Sequence, residues 1–238
     1  VRPRLICLTY AGRGASAFNQ WPHLLGGVAD VLAIQLPARE ERMADPPVNR
    51  IDALERQLLP ELLPWLDGPF VVFGHCMGGL LAAALTVGLG ADHGLQPAAL
   101  VLSATAPPWQ QESLGDLENL TDGEFIRGLR KAGALTPKQI AEPAVLAVML
   151  PAIRADYLLF ESTRAAFPKP SASPLTCPVE LFAGNADVAI EPERMRDWGV
   201  LTSGPSTLRL FPGDHFFLDT AATQVIDGVT DVVRRVLP

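Results

Sequence analysis

Phe70-Val71-Val72-Phe73-Gly74-His75-Cys76-Met77-Gly78-Gly79 runs from an apolar strand-like stretch directly into an apolar helical one, Met77–Leu89, with a cysteine at the joint. Gly74 and Gly78 stand two residues on either side of Cys76, the Gly-x-nucleophile-x-Gly spacing of a sharp strand-to-helix turn. Glycine belongs at both places because side chains there would collide with neighbouring backbone. Such a turn sets the sulfur at a helix N-terminus, where free N–H groups and the dipole favour negative charge. It aims the N–H of Met77 at a developing oxyanion. It also favours the thiolate, the attacking form of a thiol. The competing reading is a small buried cysteine on a glycine-rich turn. His75, next to the nucleophile, is expected to point to the opposite side and to serve packing rather than catalysis.

Similar apolar runs recur on both sides of this turn: Leu5–Leu8, Val31–Leu36, Leu100–Ser103, Val179–Phe182 and Leu208–Phe211, besides Phe70–Phe73 itself. Their pattern is that of strands buried on both faces, as in a mostly parallel sheet. Helical patterns fall between them at Ile51–Trp65 and Met77–Leu89. A last one, Thr223–Val236, puts Val225, Ile226, Val229, Val232, Val233 and Val236 on one face. Alternating strand and helix implies right-handed crossovers and an open α/β sheet flanked by helices. The alternation stops between about residues 107 and 174, where helical patterns (Gly123–Ala132, Pro137–Ala141, Ala144–Glu161) occur without a strand. A proline-rich connector, Phe167–Pro174, ends that segment. The expected organisation is one α/β domain over residues 1–238 with a helical lid inserted at about 107–174.

The 238 residues, 48% hydrophobic and 19% charged, describe a globular chain with a sizeable core. A formal net charge of −7 argues against nucleic acid as a partner. Cys7, Cys76 and Cys177 form neither a disulfide framework nor a metal-binding spacing, so no metal is expected and the expected setting is the cytoplasm. Cys7 and Cys177 fall in or beside strands and read as inert core residues. The longest apolar stretch, roughly Leu80–Leu89, is short of the ~18–20 residues a membrane helix requires. No membrane partner is expected, and the chain is expected to be a monomer.

Two later strand ends carry chemistry. Val179–Phe182 leaves into Ala183-Gly184-Asn185-Ala186-Asp187, and Leu208–Phe211 into Pro212-Gly213-Asp214-His215. Nucleophile, acid and histidine in that order are the sequence of α/β-hydrolases. His215 then takes the thiol proton and returns it to the leaving group, while Asp187 fixes its tautomer and stabilises imidazolium. Read singly, Asp187 is a turn aspartate and His215 a loop histidine. Asp214 is an alternative acid, awkwardly placed beside His215.

With these residues in view, the chain resembles the stand-alone type II thioesterases that serve polyketide synthases and nonribosomal peptide synthetases. Leu8-Thr9-Tyr10-Ala11-Gly12-Arg13-Gly14-Ala15-Ser16, then Phe18 and Trp21, is similar to that family's Tyr-Ala-Gly-Gly loop. Leu36-Pro37-Ala38-Arg39-Glu40-Glu41-Arg42 resembles its Pro-Gly-Arg stretch. Gly74–Gly79, Leu150-Pro151-Ala152-Ile153-Arg154-Ala155-Asp156-Tyr157, Trp198 and Phe211–Leu218 match as well. The resemblance implies a second oxyanion N–H from the Tyr10–Ala11 region, beside that of Met77. It implies a lid over a channel for the phosphopantetheine arm of an acyl or peptidyl carrier protein, so the substrate brings its own prosthetic group and no cofactor is expected. Arg127, Arg130 and Lys131, close together on a lid helix, are expected to meet an acidic carrier; a solvated helix face is the alternative.

The chain departs from the family at Cys76, usually serine, at Val188, usually proline, and at Arg13, Ala38 and Asp214, usually glycine. With cysteine the acyl-enzyme is itself a thioester and keeps most of its acyl-transfer potential. The expected activity is hydrolysis of acyl or aminoacyl thioesters through Cys76, His215 and Asp187. The alternative is an acyltransferase or cyclising enzyme that moves the acyl group from Cys76 to another thiol or amine. A non-catalytic carrier-binding module is a third reading, against which the intact Asp187 and His215 argue.

Overall fold

The apolar runs form strands β1 (Arg4–Leu8), β2 (Asp30–Ala33), β3 (Phe70–His75), β4 (Ala99–Ser103), β5 (Val179–Gly184) and β6 (Ser206–Phe211) in a computed structural model. The structure describes residues 2–135, 137–167 and 169–237, with the side chains of Pro137 and Lys138 left aside. The strands build a 6-stranded sheet in the order β2-β1-β3-β4-β5-β6, and every neighbouring pair is parallel. The chain runs outward from β1 to β2, returns to β3 on the other side of β1, and continues to β6. That reversal leaves a crevice past the C-terminal ends of β1 and β3, where open α/β sheets place their sites.

The helices are α1 (Trp21–Leu24), α2 (Ile51–Leu62), α3 (Met77–His93), α4 (Asp122–Lys131), α5 (Pro137–Ala141), α6 (Pro143–Ala166), α7 (Pro192–Met195), α8 (Phe217–Thr220) and α9 (Ala222–Val236). Successive strand side chains point to opposite faces, which sorts the core into two layers. Ile6, Leu8, Val72, Leu100 and Leu102 pack with α2, α3 and α7, whereas Leu5, Cys7, Val71, Phe73 and Val101 pack with α1, α8 and α9. The valine-rich face of α9 is buried as its spacing predicts. The α/β-hydrolase architecture expected from the motif order is the one present.

Four expectations are corrected. Burial on both faces holds for β3, β4 and β5, but β2 and β6 are the sheet's edges, β2 mostly half-buried and β6 largely exposed. An edge strand has a neighbour on one side only, so a helix layer covers it incompletely. β2 stops at Ala33 rather than Leu36; Ile34 adds one more backbone bond to Cys7 (2.9 Å) before the chain turns off toward Pro37, which cannot donate to a ladder. α2 stops at Leu62, and Leu63–Trp65 tightens into a 3-10 turn around Pro64. α3 runs past Leu89 to His93, where Gly94 (φ 65°) closes it in left-handed conformation.

Between β4 and β5 the described residues hold α4, α5 and α6 and no named strand. These helices have an apolar cluster of their own, which includes Phe125, Leu129, Leu146, Leu150 and Ile153. α6 extends beyond the expected Ala144–Glu161, and its mean hydropathy of 1.5 over 18 residues makes it long and apolar enough to cross a membrane by length and composition. The sequence reading, with its longest apolar run at Leu80–Leu89, misses this because Arg154, Asp156 and Glu161 interrupt the helix. In the fold α6 packs on α2 and α3 and buries Asp156 completely.

The turn between β3 and α3 explains its glycines. A Cβ at Gly74 would lie 2.7 Å from the Gly79 Cα and closer still to the Gly78 carbonyl; one at Gly78 would lie 2.6 Å from the Thr9 carbonyl oxygen. All these neighbours are backbone, so neither site can relax by a rotamer change. Gly74→Ala is therefore expected to cost about 2 kcal/mol or more of stability. Chemical denaturation checks this; an unchanged midpoint at unchanged m-value would show that the turn is looser than described.

Candidate active site

Cys76 ends β3 and begins α3 with φ 55° and ψ −119°, a sparsely populated backbone region for any residue with a side chain. Its N–H completes the ladder to the Ser103 carbonyl (2.8 Å), and its carbonyl accepts from Gly79 (2.9 Å) and Leu80 (3.3 Å). The chain thus leaves the sheet and enters the helix within a single residue. Cys76 borders a cavity of about 200 Å³ that also touches Met77, Ala11 and His215. Among the described residues the N–H groups of Ala11 and Met77 donate to nothing else. Tyr10 does not border the cavity. Its ring is buried edge-on to His75 and Phe216, and its hydroxyl donates to Asp219 (2.5 Å), so it anchors the loop on which Ala11 stands.

The turns after β5 and β6 bring Asp187 and His215 together. His215 Nδ1 lies 2.8 Å from Asp187 Oδ2, while Asp187 Oδ1 accepts the N–H groups of Ala189 (2.8 Å) and Ile190 (3.0 Å). Burial pushes the Asp187 carboxyl up, but His215 and the two backbone donors together hold it below its ordinary value. With Nδ1 occupied by Asp187, Nε2 is the ring nitrogen left for Cys76, which borders the same cavity. Burial acts to lower the His215 pKa. The Coulombic influence of Cys76, then the bond to Asp187 and the charge of Asp187, outweigh it and raise the pKa to about 10. Asp214 instead accepts the N–H of Phe216 (2.9 Å), which shapes the turn that carries His215. It is not the partner of the ring.

His75 does more than pack. It is fully buried, with Nδ1 2.8 Å from the Ser103 hydroxyl and Nε2 2.9 Å from the His215 backbone carbonyl. A carbonyl only accepts, so Nε2 carries the proton and Nδ1 accepts from Ser103. The neutral ring holds the His215 backbone to the end of β3 and β4. Burial, then the nearby charge of His215, lowers the His75 pKa to about 3. Sequence alone offered no signal for this bond, because its partners are 140 residues apart. Cys7 and Cys177 are buried free thiols, both raised by burial, Cys177 to about 11. Ala38 takes φ 64° where the resembling family has glycine, so it bears a strain that glycine would not. Arg127, Arg130 and Lys131 are exposed on α4 and form no salt bridge among the described residues.

Residues 3–232 match the family described as Thioesterase domain. The chain belongs to that thioesterase family. It is accordingly a thioester hydrolase by class. It is 31% identical over 235 residues to the gramicidin S biosynthesis protein GrsT of Aneurinibacillus migulanus, covering 98% of this chain and 90% of that protein. Among solved structures it resembles the type II thioesterase BorB from the borrelidin biosynthetic cluster, at 32% identity and a TM-score of 0.84 over 98% of this chain and 93% of BorB. The RedJ thioesterase of the prodiginine pathway in Streptomyces coelicolor superimposes equally well, with a TM-score of 0.84, 29% identity and coverage of 97% and 90%.

The buried His75 makes the thioesterase sensitive to acid. Its pKa is ~6.5 in the unfolded chain and about 3 in the fold, so below pH ~6.5 the unfolded state gains a proton that the native state refuses. The stability His75 contributes is present above pH ~6.5 and is lost as pH falls toward 3, with a limiting slope of about 1.4 kcal/mol per pH unit. Urea unfolding from pH 7 to pH 4 should show a shallower decline for His75→Asn than for the unsubstituted protein. Parallel declines would mean that other groups set the acid limit.

Proposed function

We propose that this thioesterase removes acyl or aminoacyl groups from the phosphopantetheine arms of acyl or peptidyl carrier proteins in polyketide or nonribosomal peptide synthesis, using Cys76 as nucleophile, His215 as base and Asp187 as acid. The observation that carries the reading is the His215 ring, hydrogen-bonded to Asp187 and bordering the same cavity as Cys76. The relatives GrsT, PikA5 and BorB, named for biosynthesis of this kind or as thioesterases, support the pathway assignment.

In the proposed mechanism the Cys76 sulfur forms a bond to the thioester carbonyl carbon, and the π electrons move to oxygen. The N–H groups of Met77 and Ala11 stabilise that oxyanion. Collapse breaks the bond to the pantetheine sulfur, which leaves with a proton from His215. His215 then takes a proton from water, whose oxygen attacks the acyl-Cys76 carbonyl. The second collapse frees the acid and regenerates the thiolate. The segment between about residues 107 and 174 acts as a lid, and through Leu114, Ala132 and Gly133 in its loops and Tyr157 and Phe160 on α6 it supplies the mostly apolar far wall for the acyl group. The substrate's own phosphopantetheine is the only prosthetic group required.

Intact mass analysis after mixing with an acyl thioester should show an acyl adduct that Cys76→Ala lacks. Turnover should fall at least ~100-fold in His215→Ala. Asp187→Asn should fall similarly or somewhat less, and Asp214→Asn should stay near the unsubstituted rate. An adduct that persists in Cys76→Ala, or an Asp214 variant more damaged than the Asp187 variant, overturns the assignment. Free acid should dominate with or without an acceptor carrier; an acylated acceptor as main product would instead make the enzyme a transferase.

The basic group on α4 gives the carrier a place to dock. Arg127, Arg130 and Lys131 point into solvent on a chain whose net charge is −7, and a carrier with an acidic surface would find them. Arg130→Glu should raise KM for a carrier-bound substrate by roughly 3- to 10-fold and leave a small-molecule thioester unaffected. Equal effects on the two substrates would remove the docking role.

A further inference from the structure

We propose that Asp156 on α6, gripped by Arg39, is a positioning residue that orients the loop after β1 so that the Ala11 N–H faces the reacting carbonyl. The inference rests on the Cys76 chemistry proposed above. It adds a residue and a dependence that neither the motif order nor the family match supplies.

The geometry is closed on all sides. Asp156 is fully buried; its Oδ1 accepts from Arg39 Nη2 (2.7 Å), and its Oδ2 accepts from Arg39 Nη1 (2.7 Å) and from the Gly12 N–H (2.6 Å). Arg39 spends its remaining reach on the same neighbourhood, with Nε on the Pro37 carbonyl (3.0 Å) and Nη1 also 3.4 Å from the Arg13 carbonyl. Residues 12 and 13 are therefore held by one carboxylate and one guanidinium. The fit from above is equally tight: Gly12 has φ 75°, and a Cβ there would lie 2.7 Å from Ile153 Cγ1 on α6. With the Gly12 N–H consumed by Asp156, the Ala11 N–H is the one left free, and Ala11 borders the cavity beside Cys76 and Met77.

Two simpler roles fail. Asp156 also touches the cavity, yet both its oxygens are already engaged, so it is not available to bind an amine of the substrate. Stability alone does not explain the pair either, since a buried ion pair is often matched by apolar residues of the same volume. Burial keeps the Asp156 pKa above its ordinary value even with Arg39 and Gly12 acting to lower it, which is the signature of a carboxylate held in a costly place. What the apolar replacement could not do is accept the Gly12 N–H. Because Asp156 belongs to α6, the second oxyanion donor is in place only when the helix between β4 and β5 is seated on the sheet.

The test separates oxyanion formation from thiol reactivity. Iodoacetamide alkylates Cys76 without creating an oxyanion at a carbonyl, whereas a short acyl thioester needs both the nucleophile and the oxyanion donors. Asp156→Ala should acylate about 100-fold more slowly in single turnover, the scale of one misplaced oxyanion donor. Its alkylation rate and the pH profile of that alkylation should match those of the unsubstituted enzyme. Because Asp156→Ala strands a buried guanidinium, the double variant Asp156→Leu/Arg39→Met is made in parallel; it replaces the pair with apolar bulk and should show the same split. Acylation unchanged in a folded variant overturns the inference. Acylation and alkylation falling together also overturns it, since that pattern belongs to a residue that merely holds the site together. An unsubstituted enzyme that alkylates at Cys76 but never forms an acyl adduct there would instead overturn the Cys76 mechanism itself.

Discussion

Cys76 holds a positive φ that the chain has no room to relax. Gly74 and Gly78 let the end of β3 and the first turn of α3 touch backbone to backbone, and Gly78 in turn rests against the carbonyls of Leu8 and Thr9 at the end of β1. A residue in such a conformation costs roughly 1–3 kcal/mol and persists only where the surroundings over-determine it. Here they do, because β3 is a central strand with β1 and β4 on either side. The close approach has a second effect. It brings the end of β1 against the first turn of α3, so that the loop after β1, which Asp156 then orients, starts beside the strained turn.

How much of this was legible in the sequence depended on how local each signal was. The strand-to-helix turn at Cys76 is written within a few consecutive residues, Gly74 to Gly78, and the structure has the backbone that spacing demands. The six strands were visible as apolar runs, but which were edges was not, because edge position is decided by the order of strands and leaves little trace in a strand such as β6. Asp187 was separable from Asp214 only once the turn was seen: Asp214 spends its carboxylate on the Phe216 N–H, while Asp187 points at the ring. The grip of Arg39 and Gly12 on Asp156 joins three segments over 144 residues of sequence. Each residue falls within a motif that resembles the family's, yet no pattern within a motif says that they meet.

The two neighbouring histidines show how placement overrides residue type. His75 and His215 have ring centroids 5.9 Å apart, and their pKa values move in opposite directions, to about 3 and about 10. His75 is surrounded by groups that satisfy a neutral ring, a hydroxyl and a carbonyl. His215 faces a carboxylate on one side and a thiol on the other. The positive charge that His215 carries is one of the causes that keeps His75 neutral, and the bond from His75 fixes the backbone of His215. One histidine gives up titration so that the other can be held still while it titrates.

That arrangement bears on how Cys76, as the proposed nucleophile, would serve two half-reactions that ask opposite things of the same base. Before acylation, the Coulombic influence of Cys76 is the largest of those raising His215, which favours the protonated ring that the proposed reaction needs to supply the leaving pantetheine sulfur with its proton. Once Cys76 is acylated the sulfur can carry no charge, and its Coulombic pull on the ring is gone. Burial, which acts in the opposite direction, is then opposed by Asp187 alone, and the pKa of His215 falls. A ring that has just delivered its proton thus meets water as a free base, at the moment when the second half of the proposed reaction requires one. Neither a conformational change nor a second titratable group is needed for that reversal. It follows from setting the nucleophile's own charge beside the base.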